Sequence, residues 1–335
     1  MREELERLRD DFLLRDGAPV VWLDDVPGRG LGACSIAIGA FDGFHIGHAR
    51  LIAEAVDDAR SRGVSCVAVT FDPDPDCVVG PGPSLKLLGS SGRLRALAAS
   101  GVDAVLVVPF TAELAALDHA AFFERVLAAA MNVVSVHVGS DFRLGRGGAS
   151  TVDVMAAWGA AHGVDIVGHS LVLDGGRCVC ATRIRAALSE GRLDEARREL
   201  GRRPMIEGVV GPGRGQGTGM GFPTANVAVP YGMQMPADGV YSAYALVDGA
   251  AWPAAVNVGI PPMFASSSAS ARLEANLLGF TGDLYGKRMA IAFDCFLRPS
   301  VRFASTEELI ETVLADISHV AGSLVPGPIR LQPEA

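Results

Sequence analysis

The chain carries no basic block. Acidic and basic residues are interspersed and the formal net charge is −9, so the electrostatic footprint of a nucleic-acid binder is missing. Any polyanion would have to be held locally, by arginines and helix starts. No apolar run approaches the roughly 18 residues of a membrane span. Residues 1–8 are charged and helical in pattern, where a secretory leader would join a cationic end to an apolar stretch. The six cysteines are scattered, and the one close pair, Cys178 and Cys180, lacks the two-residue gap of a redox or zinc motif. Buried thiols in a reducing cytoplasm are therefore expected. No internal repeat is visible.

What is present is enough apolar chain for two cores: 335 residues, 49% of them hydrophobic. Residues 1–17 read as a charged amphipathic appendage. Over 18–186, short β-branched runs (34–38, 64–70, 104–108, 133–138, 165–172) alternate with alanine-rich stretches of helical period (48–62, 92–99, 115–130, 152–162). That alternation predicts a doubly wound α/β domain with a parallel sheet covered on both faces, and ligands at the carboxyl ends of its strands. A charged helix, 183–203, stopped by Pro204, supplies a linker over 187–204. Over 205–325 glycine and proline become dense, and alternating runs follow at 239–247, 252–258, 272–280 and 289–297, with one helix at 306–324. This texture predicts a small antiparallel β-barrel closed by a helix. Residues 326–335 read as a loose tail.

Chemistry concentrates first in Gly39-Ala40-Phe41-Asp42-Gly43-Phe44-His45-Ile46-Gly47-His48. A strand ends, a glycine turn lets the backbone approach a triphosphate, and a helix start offers unpaired N–H groups. His45 and His48, three residues apart, can face the same phosphates and stabilise charge as pyrophosphate leaves. Three further segments fall at strand ends or a helix start. Thr70-Phe71-Asp72-Pro73-Asp74-Pro75 could wall a flavin or nucleotide pocket, or be an ordinary turn. Residues 139–145 contain Asp141. Thr182-Arg183-Ile184-Arg185 opens a helix with Thr182 as N-cap, and its two cations either await an anion or pair with Glu190 or Asp194.

The glycine-rich stretch 208–226 lacks the lysine of a P-loop, and a flap over ATP stays open as a reading. In Pro223-Thr224-Ala225-Asn226 a hydroxyl and an amide two residues apart share one face of an extended chain, hard oxygen ligands suited to Mg²⁺ held together with nucleotide phosphates. Glu274, in a strand-like run, could orient or deprotonate a substrate hydroxyl.

Taken in this order, these segments resemble the bifunctional bacterial riboflavin kinase/FMN adenylyltransferase family over about 22–324. The resemblance implies ATP, riboflavin and FMN as substrates, Mg²⁺ for both reactions, a cytoplasmic enzyme without nucleic-acid or membrane partners, and leaves room for a homo-oligomer. Carried over by position, His45 and His48 would hold the ATP phosphates. Gly39, Phe41, Asp42, Gly43, Asp141, Thr182, Arg183 and Arg185 would line the nucleotide and pyrophosphate site. Phe71 and Asp74 would stand on its flavin side. In the second domain Gly219, Gly221 and Pro223 would meet nucleotide, Thr224 and Asn226 would bind Mg²⁺-ATP, Glu274 would be the base, and Asp283, Tyr285 and Arg298 would face flavin.

Departures from the family pattern are equally specific. Asp74 replaces a usual histidine, Ser150-Thr151 a Gly-Asp pair, Pro261 and Met263 an arginine and a threonine, Asn276 and Gly279 a histidine and an aspartate. They motivate two alternatives: a paralogue for a modified flavin or other small substrate with one activity weakened, and a non-catalytic flavin- or nucleotide-binding regulator, against which the retained histidines and Glu274 speak. Asp74 near phosphates would repel them unless a metal or arginine compensates.

Overall fold

The computed structural model describes residues 1–80, 82–212, 222–259 and 273–332. By contacts the chain divides into two compact units, one of Arg15–Ser84 with Ser90–Ala181, the other of Met1–Leu14, Leu85–Gly89 and Thr182–Ala335.

In the first unit the strands are β1 (Val20–Trp22), β2 (Ala33–Ile38), β3 (Ser65–Asp72), β4 (Ala104–Pro109), β5 (Asn132–Gly139), the short pair β6 (Arg143–Leu144) and β7 (Ser150–Thr151), then β8 (Asp165–His169) and a second short pair, β9 (Leu173–Asp174) and β10 (Arg177–Cys178). Six of them form a parallel sheet in the order β1-β4-β3-β2-β5-β8. The central strands are apolar on both faces because helices cover both, and Ile36, Val67, Leu106 and Val136 are fully buried. Sequence order reverses about β2, which pairs with β3 on one side and β5 on the other. At such a switch point a crevice opens beyond the strands' carboxyl ends.

Local chemistry explains where this unit departs from the expected elements. The helix foreseen over 115–130 is divided: Ala112–Ala115 ends, and a new start is made at Asp118, whose side chain accepts from Ala121 N at 2.8 Å. The edge strand β1 is too short to leave a pattern. Only Cys34 and Cys66 are the expected buried thiols; burial pushes them up to about 11 and about 12, whereas Cys77, Cys178, Cys180 and Cys295 are exposed.

The second unit is built on β11 (Met205–Gly211), β12 (Ala225–Ala228), β13 (Gly239–Val247), β14 (Ala250–Val258), β15 (Leu273–Leu277), β16 (Arg288–Arg298) and β17 (Ile329–Arg330). Antiparallel pairings run β13-β16-β11-β12-β15-β14 and close through β13 with β14, a six-stranded barrel followed by the helix Thr306–Ser323. Its interior is filled by alternate residues such as Tyr241 and Phe293, whose rings meet edge to face at 5.3 Å.

Two expectations are corrected in this unit. The helix foreseen over 183–203 is two, Ala181–Ser189 and Leu193–Leu200, because Gly191 takes a left-handed φ of 74° that ends the first. The tail is not loose at its start: Ile329 and Leu331 are buried, and β17 pairs with Ala250 and Ala251 of β14.

The helix Arg2–Asp11, which the sequence alone presents as an appendage, has its partner in this second unit. Arg203 is buried and donates to Asp11 at 2.7 Å, Asp294 at 2.7 Å and Glu4 at 2.9 Å. Burial opposes its charge, but these carboxylates outweigh burial and raise its pKa. Removing one member strands the others without their counter-charge, so Arg203→Ala is expected to cost roughly 3–5 kcal/mol. Chemical denaturation monitored by far-UV dichroism checks this; a loss under about 1 kcal/mol would mean that the cluster is solvated as a surface pair is.

Candidate active site

The loop after β2 builds one wall of a cavity of about 960 Å³ in the first unit. Phe41 enters a left-handed conformation, φ 54°, and its ring is buried. His45 then caps the helix Ile46–Arg62, its Nδ1 accepting from the backbone N–H of His48 at 3.4 Å. In a neutral ring this fixes the proton on Nε2, leaving a donor there. The helix begins two residues before the expected position, which turns the His45 and His48 rings into a stack, centroids 3.6 Å apart and planes 17° from parallel. Gly47 leaves room for the His45 ring: a Cβ there would stand 3.0 Å from His45 Nδ1, so the ring would have to shift.

The cavity is lined by Gly39, Phe41, Asp42, His45 and His48 from this loop, by Phe71 at the end of β3, and by Asp141 after β5. Gly43 belongs to the same turn, with φ 74°. Those sequence-designated residues are therefore brought together.

Others are placed differently. Thr182 lies inside the first turn of the helix Ala181–Ser189 rather than at its cap. Its Oγ1 accepts from Arg185 at 3.0 Å. Arg183 pairs with Glu195 at 3.0 Å and with buried Glu199 at 2.7 Å, neither of them the partner foreseen. Thr182, Arg183 and Arg185 all belong to the second unit. Asp74 is absent from the lining, and its carboxylate is held by the buried guanidinium of Arg93, which donates to the Phe71 carbonyl at 2.8 Å as well. Arg93 is the compensating cation that Asp74 requires. Sequence reading misses it because it sits in an ordinary helical stretch, Ser90–Ala98. Thr151 caps the helix Val152–His162 through Val154 N, and Ser150 Oγ meets His119 at 2.8 Å, so this departure from the family pattern is absorbed structurally.

On the barrel, register joins residues far apart in sequence. Asn226 of β12 lies directly opposite Glu274 of β15, which lies opposite Asn257 of β14. Their neighbours Ala225, Val227, Leu273, Ala275, Val256 and Val258 are buried, so the three polar side chains form a row on the barrel's outer face. Thr224 precedes β12 by one residue and is half-buried, as Asn226 is; Pro223 is exposed. Asn257 carries no motif, and only its register reveals it.

Asn276 donates to the Pro223 carbonyl at 2.8 Å, anchoring the segment that leads into Thr224. Asp283 accepts from the backbone N–H of Tyr285 at 2.9 Å, a turn that leaves Tyr285 exposed. Arg298 is committed to Asp316 of the last helix, at 2.7 and 3.0 Å. The first ten residues of β16, 288–297, stand between Tyr285 and Arg298, about 30 Å of extended strand, so these expected flavin residues do not form one cluster. Gly219, Gly221, Pro261 and Met263 lie outside the described residues.

Comparison with known proteins gives the same order of units. The family described as FAD synthetase matches residues 30–183, and the family described as riboflavin kinase matches residues 200–324. A bifunctional riboflavin kinase/FMN adenylyltransferase from Pseudomonas fluorescens is 34% identical over 298 residues, 89% of this chain and 95% of the relative. Its counterpart from Escherichia coli (strain K12) is 33% identical over 286 residues, 84% and 90% of the two chains. A crystal structure described as a macrolide-efflux protein from Streptococcus pneumoniae superposes with a TM-score of 0.78 at 26% identity, covering 91% of this chain and 99% of that one. Among the described residues no helix is long and apolar enough to cross a membrane. A stacked histidine pair at a sheet's switch point, a six-stranded barrel behind it in the chain, and identity sustained across both place this chain in the bifunctional riboflavin kinase/FMN adenylyltransferase family.

Proposed function

We propose that the barrel phosphorylates riboflavin to FMN and that the cavity of the parallel-sheet unit transfers AMP from ATP to FMN, giving FAD and pyrophosphate. The observation that carries this reading is the His45–His48 stack, held by the helix start and lining the cavity. Donors fixed before reaction stabilise the charge that develops as pyrophosphate departs without having to reorganise. Phe71, which also lines the cavity, offers an apolar face to an isoalloxazine ring.

On the barrel, Glu274 is the base that takes the riboflavin 5′-hydroxyl proton. Thr224 and Asn226 hold Mg²⁺ with the nucleotide: a hydroxyl and an amide carbonyl are hard oxygen donors of the kind this ion takes alongside phosphates. Bound there, Mg²⁺ would neutralise phosphate charge. The cytoplasm suits a chain with six free thiols. Asp74, neutralised by Arg93, does not set a bare negative charge against substrate.

Purified protein given riboflavin and Mg²⁺-ATP is expected to yield FMN first and FAD after it, resolved by chromatography with flavin fluorescence. FMN without FAD would restrict the assignment to the barrel. Neither product from folded protein would remove it.

A further inference from the structure

Behind the cavity wall a chain of polar groups runs between the helix Ile46–Arg62 and one face of the parallel sheet. It starts at Asp58 on the helix Ile46–Arg62, whose Oδ2 accepts from Ser135 Oγ at 2.6 Å, Ser35 Oγ at 3.1 Å and His137 Nε2 at 3.1 Å. His137 is buried in β5, and its Nδ1 lies 2.8 Å from Nε2 of His169 in β8. On the far side of that ring, His169 Nδ1 meets the Glu54 carboxylate, which also accepts from Arg50 Nε at 2.8 Å. His169 and Arg50 line the cavity.

Proton counting determines the charge of this chain. Both ends are carboxylates: hydrogen bonds from Arg50 and His169 keep Glu54 below the ordinary range. For Asp58, burial pushes upward, but hydrogen bonds from Ser135, Arg62, His137 and Ser35 outweigh it. A carboxylate only accepts, so each outer link needs an N–H and the inner link needs one proton between two nitrogens. Two neutral imidazoles supply one proton too few. Two imidazoliums would set N–H against N–H at 2.8 Å. The pair is satisfied only when it holds three protons and therefore one positive charge.

His137 is buried and His169 half-buried, so the charge resides on His169, the ring that water reaches. The surrounding charges agree. Asp58, Glu54, Arg50 and Arg62 face the rings from the helix; Asp165 of β8 pairs with Arg62 at 2.8 Å; β2 contributes only the hydroxyl of Ser35. Three carboxylates against two guanidiniums leave one negative charge for the shared proton to balance.

We infer that His137 and His169 together carry one proton-borne positive charge, which cancels the excess carboxylate beside the cavity so that a substrate phosphate is not repelled there, with His137 acting as the positioning residue for His169. The inference rests on the reading of this cavity as the seat of adenylyl transfer. The charge is present at low pH and lost as pH rises through the pair's titration, so phosphate binding weakens in that direction.

Full-length protein with ¹⁵N-labelled histidine tests it, with magnesium pyrophosphate as the probe. Near neutral pH, side-chain spectra should show His137 neutral with its proton on Nε2 and His169 protonated on both nitrogens, and pyrophosphate should shift the His169 signals. His169→Gln should weaken pyrophosphate binding about tenfold and flatten its dependence on pH. His137→Gln should move the pH midpoint of that binding. Two neutral rings in the wild-type protein, or unchanged pyrophosphate affinity in His169→Gln, would overturn the inference. The charged pair and its pyrophosphate response in a protein that makes no FAD would support it and sink the adenylyl-transfer reading instead.

Discussion

Replacing His48 with alanine is expected to lower FAD formation from FMN and ATP by about 10²–10³-fold, the usual loss for one preorganised donor at a developing charge. Riboflavin phosphorylation by the same preparation should stay within about twofold, because the barrel is a separate compact unit with its own core. The substitution is selective for a structural reason. His45 caps the helix through the backbone N–H of residue 48, which alanine retains, so the helix start survives while the stacked ring is lost. Both rates are read by quantifying flavins after separate incubations with riboflavin and with FMN. Unaltered FAD formation would put the phosphate grip somewhere other than this stack.

The opposite selectivity is expected of Glu274→Gln. Loss of a positioned base slows proton transfer by roughly 10²–10⁴-fold, so FMN formation from riboflavin should fall within that range while FAD formation from supplied FMN continues. Glutamine keeps the size and one acceptor of glutamate, and its neighbours across the strands, Asn226 and Asn257, can hydrogen-bond either side chain. A loss of less than about tenfold would assign the step to positioning and phosphate neutralisation, which dominate many phosphoryl transfers.

Residues that act through local chain geometry are legible in the sequence. The His45 and His48 stack follows from three-residue spacing at a helix start, and the parallel sheet follows from apolar runs alternating with helical stretches, because both depend on near neighbours. Residues that act through register or packing are not. Arg93 meets Asp74 only after a strand end and a helix are brought together, and Asn257 reaches Glu274 only through barrel pairing. His137 and His169, thirty-two residues apart, join because β5 and β8 are neighbours in the sheet. A trace of that pair is nonetheless present in β5, where Ser135 and His137 interrupt a buried apolar strand at a spacing of two, putting both on one face. Arg298 misleads in the opposite sense, since an arginine at a strand end reads equally well as a ligand group or as half of an ion pair with Asp316.

The tie between Asp11 and Arg203 spans 192 residues. At about 5–20 residues per second the ribosome would take on the order of 10–40 s to deliver the arginine after the aspartate. Throughout that interval the opening helix waits without its anchor, and the parallel sheet has its entire sequence, through His169, before the arginine emerges. A fragment cut at residue 182 would retain the seven described strands of the barrel unit, yet it would hold Arg203 without Asp11. Any separate expression of the kinase half therefore has to bring the first fourteen residues with it.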